Sequence, residues 1–487
     1  MPSEIESLEP KAVWRFFSGL AAVPRPSKQE QKIRAHVKQL AESLKFKVRE
    51  DSVGNLLIEV PATKGREGAP PTLLQGHLDM VCEKNSGTKH DFDHDPIRLV
   101  LDKAADGKQI VRADGTTLGA DNGIGVALAL AAATDPASVH GPLEILCTID
   151  EEAGMSGAKA ITAGFFKGRR MLNLDSEEDD AIYIGCAGGT DTTLIWTLPT
   201  SSLPAGAEVC RITVAGLKGG HSGCDIHLNR GSAIGLLVQC LQAVSTPQLA
   251  SIEGGSKRNA IPREAAATIA GPKGLAARLT DATKAIQAEA IANGEANCEI
   301  KVSPAPSSPA ISVEDTRLVL DAIAASPHGV LAVVPDIPGL VQTSNGTTTI
   351  NSAGSSGSLR IEVGCLSRSS SKSDMNAALR KIAAVARLAG AQAECANEYP
   401  GWSPNVNSPT LAVCKKAYSR VFDHSPRIAS IHAGLECGII GEAVGGMDMV
   451  SFGPNISGAH SPDERVDVAS VGRMYRYLLA VLADLAA

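Results

Sequence analysis

Aromatic residues are scarce in this chain, at 3% of 487 positions, so any large core must rest on Ala, Val, Leu and Ile. Lys/Arg-rich tracts are missing too. With a formal net charge of −7, that argues against nucleic acid as the main partner. No apolar run reaches the roughly 18 residues of a membrane span, so no membrane partner is expected. The opening stretch "MPSEIESLEPKAVW" has acidic residues and no apolar centre, unlike a signal peptide. The 11 cysteines are odd in number and scattered, without a CxxC pair. This is the usage of reduced thiols in a cytoplasmic protein.

What is present is organised in two textures. A chain of this length exceeds one ordinary domain. In "KQEQKIRAHVKQLAESL", Ile33, Val37, Leu40 and Leu44 share one helical face. "GNLLIEV" (54–60), "TLLQG" (72–76), "LEILCTI" (143–149) and "RMLNLD" (170–175) read as buried strands, and "GIGVALALAAA" (123–133) as a buried helix. Apolar strands alternating with helices predict an α/β domain with a largely parallel sheet flanked by helices. From about 206 the pattern becomes β-α-β-β-α: "EVCRITVAG", a helix over 230–244, "AATIAG", a helix over 274–292 and "CEIKVS". That suits an α+β domain. A helix over 375–390 and the linker-like "YPGWSPN" follow, before "GMDMVSFGP" and a final helix restore the first texture. The expected organisation is a catalytic domain in two parts, 1–205 and 399–487, with a domain inserted at 206–398.

The chemistry gathers where strands end. "TLLQGHLDM" delivers His77 and Asp79, "TLGADNGIG" Asp121, "LCTIDEEAG" Glu151 and Glu152, "LNLDSEE" Asp175, and "FGPNISGAHSPDE" His460. One such residue is ordinarily a cap or a surface group. Five segments at matching positions are harder to explain so, because ligand sites in open α/β sheets form beyond the carboxyl ends of the strands. Two histidines with several carboxylates are what a pair of divalent metals requires. Mixed N/O donors suit Zn²⁺, and also Mn²⁺ or Co²⁺. In the extended segment His77-x-Asp79, residues i and i+2 point the same way, so Asp79 can hold the imidazole's second nitrogen.

"GHLDMV", "GADNGIGVA", "DEEAGMSGA", "NLDSEE", "KGGHSG", "RNAIP" and "SGAHSPDE" together resemble the co-catalytic zinc dipeptidases related to carboxypeptidase G2, from the first helix to the last. The resemblance implies a zinc-peptidase-like catalytic domain with an inserted ferredoxin-like lid, enlarged around 325–358. It implies that Asp121 bridges two metals, with His77 and Asp175 completing one site and Glu152 and His460 the other. Glu151 would be the general base, and a cis peptide would follow Asp121. In the lid, His221 matches a histidine that stabilises the developing oxyanion, and Asn259 one near the substrate carbonyl. Arg368 matches a clamp for the substrate carboxylate, with Arg360 as competitor, and Glu436 is a candidate partner for the substrate ammonium. His90, His94, His227 and His432 receive no role. The implied activity is cleavage of short unblocked dipeptides, aminoacyl-histidine types such as β-alanyl-histidine included, by a homodimer joined through the lid. Whether His221 serves its own chain or its partner's stays open. The alternatives are a tripeptidase or N-acyl amino-acid hydrolase on the same metal core, and an inactive metal-binding interaction protein.

Overall fold

The computed structural model describes residues 4–244, 247–335, 337, 339–355 and 357–487. The chain forms two compact units. The first comprises Met1–Gly185, Pro404–Ser430 and Leu435–Ala487; the second, Cys186–Ser403 and Ile431–Gly434.

The first unit is built on an eight-stranded sheet. Its order is Lys47–Glu50, Leu56–Val60, Leu143–Thr148, Thr72–His77, Arg170–Asn173, Asp448–Ser451, Ala181–Cys186 and Arg427–Ile431. The four middle strands, from Leu143–Thr148 to Asp448–Ser451, run parallel. The pairings observed towards either edge are antiparallel, so the expected parallel sheet is confined to the centre. Thr72–His77 and Leu143–Thr148 are buried at every position, as strands covered on both faces must be. The helix Ala120–Thr134, rich in Ala and Gly, packs on Thr72–His77 and on the helix Lys11–Ala21. It is buried nearly all round, which explains its lack of a polar face. A separate four-stranded antiparallel sheet joins Leu99–Lys103, Gln109–Ala113, Arg465–Asp467 and Ile456–Ser457.

The second unit carries a nine-stranded antiparallel sheet. Four of its strands, Glu299–Pro304, Glu208–Ala215, Ala265–Gly271 and Gln248–Gly254, interleave two crossovers through the helices Ala233–Gln242 and Leu275–Ala292. This is the split β-α-β arrangement that the sequence pattern suggests. Val341–Ser355, Ser358–Ser369, Gly188–Pro199 and Gln392–Tyr399 extend the sheet, and Gly329–Val333 pairs with Val341–Ser355. The enlargement around 325–358 thus supplies two strands, positions 336, 338 and 356 lying outside the described residues.

The unit boundaries differ from those expected at 205/206 and 398/399. Gly188–Pro199 pairs along its length with Ser358–Ser369 and also with Gln392–Tyr399, so both belong to the second unit. An alternating strand gives no sign of which sheet it joins; only its distant partner decides. Ile431–Gly434 also returns to this unit, where the Ala187 N–H donates to the carbonyls of Ile431 and Ala433. Among the described residues no helix is long and apolar enough to cross a membrane.

Candidate functional site

His77 ends its strand, and Glu151, Glu152 and Asp175 follow the strands on either side. His460 comes from the hairpin between Ile456–Ser457 and Arg465–Asp467, where it takes a positive φ of 63°. Asp121 enters from the first turn of Ala120–Thr134, and the Asp121–Asn122 peptide is cis.

Asp121 stands between the two histidines. Its Oδ1 is 3.0 Å from His77 Nε2 and its Oδ2 is 3.2 Å from His460 Nε2. Asp175 Oδ1 lies 3.4 Å from His77 Nε2, and Glu152 Oε2 lies 3.0 Å from His460 Nε2. Three groups have donor atoms within 4.8 Å of one another: His77/Asp121/Asp175, Asp121/Glu152/His460 and His77/Glu151/Glu152. The first two share Asp121, whereas the third joins both glutamates to His77.

The remaining donor capacity suits cations. Among the described residues Glu152 Oε1 is buried without a hydrogen-bond partner and Asp175 Oδ1 has only its 3.4 Å contact to His77, a costly state for carboxylate oxygens unless further positive charge faces them. Five carboxylates (Asp79, Asp121, Glu151, Glu152 and Asp175) gather around two imidazoles, so negative charge is in excess even with both rings protonated. The titration behaviour follows. Hydrogen bonds to Asp121 and Glu152 raise His460 to about 11. Burial works against a charged His77, yet Asp175, Asp121 and Asp79 lift it well above its ordinary value. Burial, and then the charges of Asp121 and Glu152, push Asp175 up to about 6. Glu151 is raised well above the usual range, chiefly by burial.

Several side chains hold the donors in place. Asp79 Oδ1 is 3.4 Å from His77 Nδ1, and the Ser27 hydroxyl donates to Asp79 Oδ2 at 2.7 Å. Burial opposes ionisation of Asp79, but its bonds from His77, Ser27 and the Glu151 amide hold it at about 2. Sequence reading missed three further members. Asn122 accepts from the His77 N–H at 3.3 Å and donates to the Leu174 carbonyl at 2.7 Å, linking two ligand strands. Gly76 makes room for it, since a Cβ there would lie 2.2 Å from Asn122 Oδ1. Arg25 and Glu464, each 2% exposed, bind the backbones of the ligand loops. Glu464 lies inside "SGAHSPDE", where an acid among turn residues looks like a solvated group. Only its spacing four residues after His460 was available as a signal.

Glu436, a candidate from sequence for the substrate ammonium, is 0% exposed, and among the described residues its Oε1 has no hydrogen-bond partner. Its Oε2 accepts from Gln75 Nε2 and the Thr148 hydroxyl, both at 2.6 Å, and burial raises it to about 8. A helix N-terminal glutamate is ordinarily exposed; here Glu436 is wholly enclosed among strand residues.

In the second unit, His221 Nδ1 accepts from the amides of Gly223 and Cys224, at 3.2 and 2.9 Å. That fixes the neutral tautomer with its proton on Nε2. Burial, reinforced by Arg368, lowers His221 to about 4. Arg368 Nη2 is 3.5 Å from His221 Nε2, so two donors converge there. Arg368 is 5% exposed, its Nη1 donates to Tyr399 Oη at 3.0 Å, and its buried Nε has no partner among the described residues. Arg360 is 48% exposed and paired with Glu362. Asn259 is exposed, with its carbonyl bound by the Ser222 N–H at 2.8 Å, which ties it to the His221 segment. His432, given no role from sequence, is buried with its Nε2 2.7 Å from Ser344 Oγ, and burial followed by Arg368 lowers it to about 3.

A model of peptidase family M20/M25/M40 matches residues 73–484. The cytosol non-specific dipeptidase of Escherichia coli (strain K12) is 40% identical over 496 residues, covering 100% of each chain. The crystal structure of aminoacylhistidine dipeptidase from Vibrio alginolyticus superposes with a TM-score of 0.88 at 40% identity, covering 99% of this chain and 98% of that one. A Bacillus cereus aminopeptidase at 16% identity, covering 99% and 100% of the two chains, shares the fold with a TM-score of 0.58.

Proposed function

Since the chain belongs to the M20/M25/M40 peptidase family and is a peptide hydrolase, we propose that it is a cytoplasmic two-metal dipeptidase acting on free dipeptides. The observation that carries this reading is Asp121 set between His77 and His460, with one oxygen towards each. His77, Asp121 and Asp175 would hold one cation, and Asp121, Glu152 and His460 the other, with Zn²⁺, Mn²⁺ or Co²⁺ compatible with the donors. Such a pair supplies Lewis acidity to the scissile carbonyl and lowers the pKa of the attacking water.

The chain's own residues do the rest. Glu151 accepts the proton released by the attacking water and returns it to the departing amine. Asp79 orients His77 and the Glu151–Glu152 backbone. His221, neutral with its proton on Nε2, donates to the carbonyl oxygen as negative charge develops there. Asn259 serves the same oxygen, and Arg368 holds the substrate's terminal carboxylate. The lid is proposed to join two copies as a homodimer. Aminoacyl-histidine dipeptides, β-alanyl-histidine among them, are proposed substrates on the strength of the Vibrio relative's name and its likeness over nearly the whole chain.

Metal analysis of the purified protein, together with a substrate panel, tests this reading. Two ions per chain and fastest turnover of free dipeptides are expected. Faster cleavage of tripeptides or N-acyl amino acids would replace it with the alternative hydrolases. Metal binding without turnover of any of them would point to an inactive relative.

A further inference from the structure

Glu464 makes an unusual set of contacts for a hairpin residue. Its Oε2 accepts from the amides of Leu118 and Gly119, at 2.7 and 2.9 Å. Its Oε1 accepts from those of Ala120 and Asp121, at 2.7 and 3.2 Å. Four successive N–H groups at the start of a helix therefore converge on one buried carboxylate, where the helix dipole also favours negative charge. The last of the four belongs to the residue shared by both candidate cation sites. Glu464 itself follows His460 by four residues in the same hairpin. One side chain thus fixes where Asp121 stands relative to His460.

Arg25 makes the corresponding link on the other side. Its Nη1 donates to the carbonyls of Leu78 and Asp79, at 3.0 and 3.2 Å, and its Nη2 to that of Gly119, at 2.5 Å. It joins the segment that leaves His77 to the segment that enters Asp121. Neither Arg25 nor Glu464 is among the candidate metal-donor groups. From these contacts we infer that Glu464 and Arg25 are positioning residues with divided duties. Glu464 sets the Asp121/Glu152/His460 site, and Arg25 sets the His77/Asp121/Asp175 site. The ligand loops are held by protein charges before a cation arrives, so the protein does not rely on the cation to pull mutually repelling carboxylates together.

The inference rests on the two-metal reading proposed above. Calorimetric titration of the metal-free, full-length protein with Zn²⁺ tests it. Two binding steps are expected in the unaltered chain, assigned by which step disappears in His460→Ala and which in His77→Ala. Glu464→Gln keeps the side chain's size but turns an NH₂ towards two of the four amides. It should weaken the His460 step by about tenfold or more, leaving the His77 step nearly unchanged. Arg25→Lys keeps the charge but loses the fork that spans two loops, and should show the reverse. Equal weakening of both steps in both variants, or none in either, overturns the inference, because general loosening would not choose between sites. If one variant fails to fold, the other decides by the same criterion. Failure of both makes them supports of the whole unit and also overturns it. Fewer than two ions bound by the unaltered chain would instead sink the two-metal reading itself.

Discussion

Asp79 Oδ1 accepts the backbone N–H of Glu151 at 3.0 Å, while its other carboxylate oxygen takes the N–H of Glu152 at 3.1 Å. The same carboxylate faces His77 Nδ1. Asp79 therefore couples the orientation of the His77 ring to the turn that carries two adjacent glutamates. Of that pair, Glu152 faces His460, and both glutamates come within reach of His77.

Divided roles for the pair predict divided phenotypes. Glu151→Gln should lower kcat by about 10²–10⁴-fold, the usual contribution of a positioned acid–base group, with two metals retained. Glu152→Gln should release metal from the site it shares with His460. Elemental analysis beside steady-state kinetics separates the two, and equal metal loss in both variants would contradict the assignment.

Asp79→Asn should keep the fold but lose the charge that holds His77 and the turn of Glu151 and Glu152. Substitutions of groups that orient metal ligands typically cost about 10–100-fold in metal affinity or activity, and the same range is expected here. Zn²⁺ affinity measured by competition with a chelator checks it. An unchanged affinity would mean that His77 needs no such partner.

Much of this centre was legible in the sequence because its donors follow strands whose hydrophobic runs are unmistakable, as in "TLLQGH" and "LEILCTID". Strand ends in a parallel sheet point to one edge, so listing the residues after each strand already assembles His77, Glu151, Glu152 and Asp175. Glu464, Arg25 and Asn122 escaped for the opposite reason. Each acts on backbone groups from distant segments, Glu464 across more than 340 positions, and a backbone amide leaves no trace in residue type. The enclosure of Glu436 left no trace in the sequence, because it depends on Gln75 and Thr148, which reach it from strands distant along the chain. The second unit was legible as a β-α-β-β-α pattern, but the strand Gly188–Pro199 could be assigned only through its pairing with Ser358–Ser369.

Acid should destabilise the second unit through His432. Its folded pKa is lowered to about 3, by burial and then by Arg368, against about 6.5 when unfolded. Below pH 6.5 the unfolded chain takes up a proton that the folded chain refuses, so stability is present above that pH and falls as pH drops towards 3. Between pH 6.5 and 5 the loss attributable to this residue is about 2 kcal/mol. Denaturant unfolding of the unaltered protein and of His432→Gln over this range should show a shallower pH dependence in the variant. Parallel curves would remove His432 as the cause.

The carboxylate clamp proposed for Arg368 predicts a preference for free dipeptides. A dipeptide brings its carboxylate within a fixed distance of its single peptide bond, so one guanidinium can set the register of the scissile carbonyl. Arg368 is suited to this role because it is 5% exposed, is braced by Tyr399, and has a buried, unpartnered Nε beside the neutral His221. Arg360 already spends its charge on Glu362 in a largely solvated pair, where replacement costs little. A C-terminal amide cannot answer a buried positive charge, and a third residue moves the carboxylate out of register. Losing a charge-assisted hydrogen bond of this kind costs about 1.5–3 kcal/mol, which is about 10- to 100-fold in kcat/KM. Arg368→Ala should impose that loss on free dipeptides while leaving amidated ones nearly unaffected, so that the preference disappears. Arg360→Ala should leave both rates within about twofold. Kinetics on matched free and amidated dipeptides decides between the two arginines, and a preference that survives Arg368→Ala but is abolished by Arg360→Ala would transfer the clamp to Arg360.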